Sequence, residues 1–228
     1  MFYELLEAAS FIALFVGIRM LMLQLNAQAF VQPLALLAIF SANLFLRGEI
    51  FAPLGLRLEG LGAGLWRWKA EIGVAFVLLP LTLFLVLRVV WPPFVVYLAE
   101  YLGKLRSLDI RSFAPFTLAA TFMEEAIARG YLQSRFHAAL GPWAGILAAS
   151  VFFAWLHWTP GPDRRPALTH VALGFGASVL LGWMFASTGN LFVPWIAHAA
   201  WDLTLLCLLF LLGPRPADVS RASSRNPS

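Results

Sequence analysis

An all-α, polytopic transmembrane helical bundle is what this sequence predicts, on three observations. Of its 228 residues 61% are hydrophobic and only 12% are charged, against about 45–50% and about 25% in an ordinary soluble domain. Mean hydropathy is +0.79. Seven apolar segments approach the ~20 residues that cross a bilayer, with modest tilt or shortening.

The segments run 8–25, 31–46, 72–90, 113–134, 141–158, 167–187 and 191–212. The first follows Glu4 and Glu7 rather than a basic region, and no small-residue cleavage site separates it from the next apolar run, so it reads as a retained span. Residues 47–71 mix Arg47, Arg57, Arg67 and Lys69 with Leu, Gly and Trp, the pattern of an amphipathic connector lying along the headgroups. Residues 91–103 are apolar but too short to cross alone and are placed at the interface; were they to cross, the spans would number eight. After Pro214 the chain is polar and short, as a disordered tail would be. The expected organisation is N-terminal spans and connectors over 1–112, a helical core carrying the chemistry over 113–213, and a tail over 214–228.

The formal charge is +4, but the basic residues are spread through inter-helix segments, which argues against nucleic acid as a partner. Their distribution leans towards a cytoplasmic C-terminus, and the small size of the chain points to the membrane of a bacterial cell. The single cysteine, Cys207, lies in an apolar run, so the chain has no intrachain disulfide and no thiol cluster for a metal.

Ionisable side chains at membrane depth cost at least ~2.5–3.5 kcal/mol each on insertion scales, so each needs a partner or a task. Glu124, Glu125, Arg129, His157, His198 and Asp202 all fall within the predicted spans. Glu125 and Arg129 are four apart and share a helix face, acid first, so they can neutralise one another. Glu124 is rotated by about 100° from Glu125 and is left as the reactive carboxylate, suited to take a proton from water. In Phe153-x-x-x-His157 the aromatic ring can wall a pocket beside the imidazole. In His198-x-x-x-Asp202 the acid can fix the ring's tautomer or face the same reacting group. Any one of these features alone reads as a structural clamp or an interfacial residue; together, in half a chain with so few other intramembrane charges, they read as a site. His137 and His170 lack polar neighbours at helical spacing and are taken as bystanders, and Arg19 has no partner visible in the sequence.

The constellation Glu124-Glu125-x-x-x-Arg129-Gly130, Phe153-x-x-x-His157, His198-x-x-x-Asp202 resembles the CAAX protease and bacteriocin-processing (CPBP, Abi) family of intramembrane endopeptidases over about residues 113–205. The resemblance implies that Glu124 and His157 activate a water, that His198 and Asp202 stabilise the tetrahedral oxyanion, and that Glu125, Arg129 and Phe153 support the geometry. The family shows Asn or Asp at the last position. An ionised Asp202 would repel an oxyanion, so it is protonated, donates a proton or orients His198, the last being favoured.

The expectation is therefore an intramembrane endopeptidase without cofactor, acting near the C-terminal or membrane-proximal end of a membrane-anchored or lipidated protein. Two alternatives stay open. One is a zinc-dependent version with Glu124, His157, His198 and Asp202 as ligands and Glu125 as base, although no His-Glu-x-x-His pair is present. The other is a non-enzymatic immunity or peptide-binding membrane protein. No Gly-x-Ser-Gly run or Gly-x-Gly-Asp motif points to other intramembrane proteases, and Asp202 is the only Asp in a predicted span, which excludes an aspartyl dyad.

Overall fold

The computed structural model describes residues 2–25, 31–102, 110–159 and 163–213, and among them every regular element is helical. The expected tail, 214–228, lies outside the described residues. Helix α1 is Phe2–Gln24 and α2 is Val31–Arg47, followed by a single 3-10 turn at Ala52–Leu54. Helix α3 runs unbroken over Leu61–Val90, with one π turn at Val74–Leu78.

Here the structure differs from the sequence reading, which put a connector over 47–71 and a span only from 72. Nothing between Leu61 and Val74 stops a helix, because the stretch has no proline and Gly62, Gly64 and Gly73 cost only about 1 kcal/mol each. The polar residues of that stretch instead ride on the helix: Lys69 Nζ stands 3.1 Å from the Trp66 ring centroid, the kind of aromatic and basic pairing found at headgroup level.

Trp91 breaks the chain and Pro92 opens α4, Pro92–Tyr101, since a proline's missing N–H is harmless in a first helical turn. At ten residues α4 cannot cross a membrane. It packs through Phe94, Val95, Leu98 and Ala99 onto Phe84 of α3 and Leu208 and Leu209 near the C-terminus.

Helix α5, Ile110–Glu125, continues as a π-helical stretch, Ala126–Gln133, and then as α6, Ser134–Leu140. Residues 135–140, expected as a loop, thus stay helical until Gly141, whose φ of 87° turns the chain sharply into α7, Pro142–Leu156. The two helices of this turn lie very close. A Cβ on Gly145 would come within 2.6 Å of the His137 backbone nitrogen, so only glycine fits there. Asp163 caps α8, Arg164–Thr188, by accepting from the Arg165 N–H at 3.0 Å. Helix α9 is Phe192–Leu212.

Helices α1, α3, α8 and α9 are long and apolar enough to cross a bilayer, and α2 and α7 are shorter apolar helices. The chain is an integral membrane protein.

The N-terminal helices are fastened to the rest by an apolar cluster that joins Phe11 and Phe15 of α1, Ala35 and Ile39 of α2, Ile127 and Tyr131 of the π stretch, and Phe152 of α7. At one end of this cluster Glu7 gathers four donors. Arg47 grips both its oxygens at 3.0 and 2.8 Å, and Arg135 Nε and Tyr131 Oη each donate to Oε1 at 3.0 Å. Arg135 also reaches Asn43 at 3.1 Å. Glu7→Leu leaves the buried Arg135 without its closest anion, and it is expected to destabilise the fold by about 1–3 kcal/mol. A lowered midpoint of thermal unfolding in detergent, followed by tryptophan fluorescence, would show this; an unchanged midpoint would mean that Glu7 does not fasten the helices.

Candidate active site

Glu124 and Glu125 close α5 where the helix widens into the π stretch. Every residue from Ala126 to Gln133 is buried, and such π segments are common at functional sites. The two acids have opposite surroundings.

Glu125 is fully buried. Its Oε2 accepts from Arg129 Nε at 3.1 Å, with both side chains inaccessible to solvent. Arg129 is held in turn by Ser178 of α8, whose Oγ accepts from Nη2 at 2.9 Å, and its guanidinium lies 5.0 Å from the Phe153 ring centroid. The other oxygen of Glu125 lies 2.9 Å from His198 Nδ1. With one oxygen on Arg129 and the other on His198, Glu125 has no oxygen free for a reacting molecule.

Glu124 retains some solvent access, 18% of its side chain. Its Oε1 accepts from Gln32 Nε2 of α2 at 2.7 Å. Its Oε2 faces two imidazoles, 4.0 Å from His157 Nε2 and 3.8 Å from His198 Nε2.

His157 terminates α7, and its Nδ1 lies 2.9 Å from the Phe153 carbonyl. A carbonyl oxygen only accepts, so Nδ1 carries the hydrogen, and Nε2 of the neutral ring presents its lone pair towards Glu124. Phe153 forms the expected wall, with its ring centroid 4.5 Å from that of His157 and 5.6 Å from that of His198.

Asp202 lies one turn beyond His198, its Oδ2 3.9 Å from His198 Nε2. That is too far for a hydrogen bond. The residue that fixes the His198 ring is therefore Glu125 rather than Asp202, because the close contact forms between α5 and α9 and not along α9 itself.

His157, His198 and Asp202 line a cavity whose remaining wall is largely apolar, with Leu83, Leu87, Leu173 and Leu205 among its residues. His170 of α8 also lines it, although sequence spacing made it a bystander. Its ring centroid lies 5.5 Å from that of His157 and 4.7 Å from that of Tyr101. Tyr97 Oη approaches His170 Nδ1 at 3.5 Å and donates to the Thr159 carbonyl at 3.4 Å, tying α4 to the turn after His157. His137 sits on α6 and lines a different pocket, with Gln133 and Phe185. Arg19, without a partner in the sequence, lies 4.9 Å from the Trp155 ring centroid.

Among the described residues no three His, Cys, Asp or Glu side chains form a group able to hold a metal ion. The four zinc ligands considered from sequence stand 3.8–4.0 Å apart at their facing atoms, whereas tetrahedral zinc with bonds of 2.0–2.1 Å spaces its donors about 3.4 Å apart. Glu125, the base in that reading, has both oxygens occupied.

Residues 106–204 match the family described as type II CAAX prenyl endopeptidase Rce1-like. Over that stretch the chain is similar to the CAAX protease family. The stretch contains Glu124, Glu125, Arg129, Phe153, His157, His170, His198 and Asp202, but not Gln32. "Uncharacterized protein YpbD" of Bacillus subtilis (strain 168) is 36% identical over 91 residues, which cover 40% of this chain. The match spans 42% of that curated relative's length. No solved structure matches the chain.

Proposed function

We propose that this protein is an intramembrane endopeptidase in which Glu124 and His157 activate a water molecule without a metal. The observation that carries the reading is the contrast between neighbouring acids: Glu125 is sealed by Arg129 and His198, while Glu124 keeps Oε2 free, facing two imidazole nitrogens at 3.8 and 4.0 Å.

The chemistry follows from donors and acceptors. Two acceptors 4.0 Å apart can both be reached by one water through hydrogen bonds of about 2.8 Å. Glu124 Oε2 and His157 Nε2 are both acceptors, so such a water donates both hydrogens to the protein and turns its oxygen lone pairs outward, to the carbonyl carbon of a bound peptide. Glu124 takes a proton as the C–O bond forms and returns it to the leaving amine as the C–N bond breaks.

The oxyanion then needs donors. With Nδ1–H donating to Glu125, His198 offers an N–H at Nε2 when both nitrogens are protonated, a cation complementary to the carboxylates of Glu125 and Glu124, at 2.9 and 3.8 Å. Since Glu125 orients His198, Asp202 is free to act as a second donor in its protonated form. Asp202→Asn keeps a donor at that place and is expected to retain kcat within about tenfold, while Asp202→Leu loses about 10²–10³-fold. Equal loss in the two variants, read from initial rates, would mean that the negative charge of Asp202 is what matters.

The apolar cavity beside these groups supports a substrate whose cleaved bond lies near a membrane-embedded or lipidated C-terminal end, and the Bacillus relative supports a bacterial cell membrane as the setting. The test is cleavage of membrane-anchored peptides by the purified, detergent-solubilised protein, with products mapped by mass spectrometry. Cuts within a few residues of the anchor are expected; cuts only in anchor-free peptides would point to another substrate class, and no cleavage would favour a binding role.

A further inference from the structure

The family match begins at residue 106, yet one of the reacting carboxylate's hydrogen bonds comes from α2. Gln32, at the second position of that helix, donates from Nε2 to Glu124 Oε1 at 2.7 Å across 92 positions of sequence. We propose that Gln32 is a positioning residue that selects which oxygen of Glu124 takes the proton, making α2 part of the active site. The inference rests on the reading of Glu124 as the base.

A carboxylate at the end of a two-carbon stem has two equivalent oxygens and can present either, or neither, to a water. The amide N–H removes that freedom. It engages Oε1 through a short hydrogen bond to a charged acceptor, and Oε2 is left as the oxygen that faces His157 and His198. The neutrality of the amide also matters: a lysine or arginine at this place would form an ion pair with Glu124 and weaken it as a base, whereas Gln orients the group and leaves its charge available.

The donor is itself well placed. Val31, Ala35 and Ile39 form the buried stripe of α2 within the apolar cluster. At the other end of the helix, Asn43 and Arg47 bond Arg135 and Glu7. Packing along the helix and polar contacts at its end fix its register, so the side chain after Val31 is carried to α5. Gln32 does not line the cavity beside the imidazoles, so its loss should affect the chemical step rather than the binding of substrate.

The experiment compares Gln32→Met, which keeps length and bulk but removes the N–H, with Val31→Ala, which loosens the same turn by packing alone. On a peptide that the wild type cleaves, Gln32→Met is expected to lower kcat about 10- to 100-fold with KM within twofold. Val31→Ala is expected to lower the unfolding midpoint and keep kcat near the wild-type value. Wild-type kcat in Gln32→Met, or an equal fall in kcat in both variants, overturns the proposal while the endopeptidase reading stands. Failure of the wild type to cleave any peptide removes Glu124 as a base and overturns both.

Discussion

Replacing Glu124 by Gln is expected to lower kcat about 10²–10⁴-fold and to leave the protein folded. The amide has the shape of the carboxylate, its oxygen can still accept from Gln32, and the change creates no buried charge. What it removes is the acceptor that faces the two imidazoles at 3.8 and 4.0 Å. KM should change little, since the cavity walls are untouched. The checks are initial rates over a range of substrate concentration, beside the yield and unfolding midpoint of the same preparation. An active variant would transfer the base role to another group, such as Asp202 on the cavity wall.

Arg129→Met is expected to have the largest effect on the fold. Glu125 and Arg129 are both inaccessible to solvent, and removing one partner of such a pair leaves the other's charge buried and unanswered, at a cost of about 3–5 kcal/mol. The consequence should be a sharp fall in yield and in unfolding midpoint. Substituting both residues, Glu125→Met with Arg129→Met, removes the stranded charge and should recover a good part of that stability. Activity should not return with it, because His198 Nδ1 loses the oxygen that holds it at 2.9 Å. A single Arg129→Met variant as stable as wild type would contradict the clamp, and a double variant with full activity would contradict the orientation of His198 by Glu125.

How much of this site can be read from the sequence depends on which contacts run along a helix and which run between helices. The Glu125–Arg129 pair is legible because four residues along a helix bring two side chains together whatever surrounds them. The Phe153 wall beside His157 is legible for the same reason. His198 and Asp202 have the same spacing, but the contact that decides the ring's orientation comes from Glu125 on another helix, and no spacing along α9 could show it. The contact of Gln32 with Glu124 and the place of His170 on the cavity wall likewise come from packing between helices, which spacing along one helix does not show. Gln32 did leave a trace, since a polar amide in an apolar run invites the same question as a buried charge.

The fold shows a similar division. Apolar composition makes the membrane class and the all-α architecture plain, and Gly141-Pro142 marks a true break between helices. The start of α3 at Leu61 was not legible. Arg67, Lys69 and paired tryptophans look like a surface connector, although they are equally suited to the headgroup end of a long helix whose charged side chains reach outward.

The central claim, that Glu124 activates water without a metal, is tested most directly by cleavage of one anchored peptide by purified wild-type and Glu124→Gln protein, each assayed with and without a strong chelator. The account predicts wild-type cleavage that is unaffected by chelation and nearly absent in the variant. Wild-type cleavage abolished by the chelator and restored by zinc, or equal cleavage by the two proteins, would contradict it.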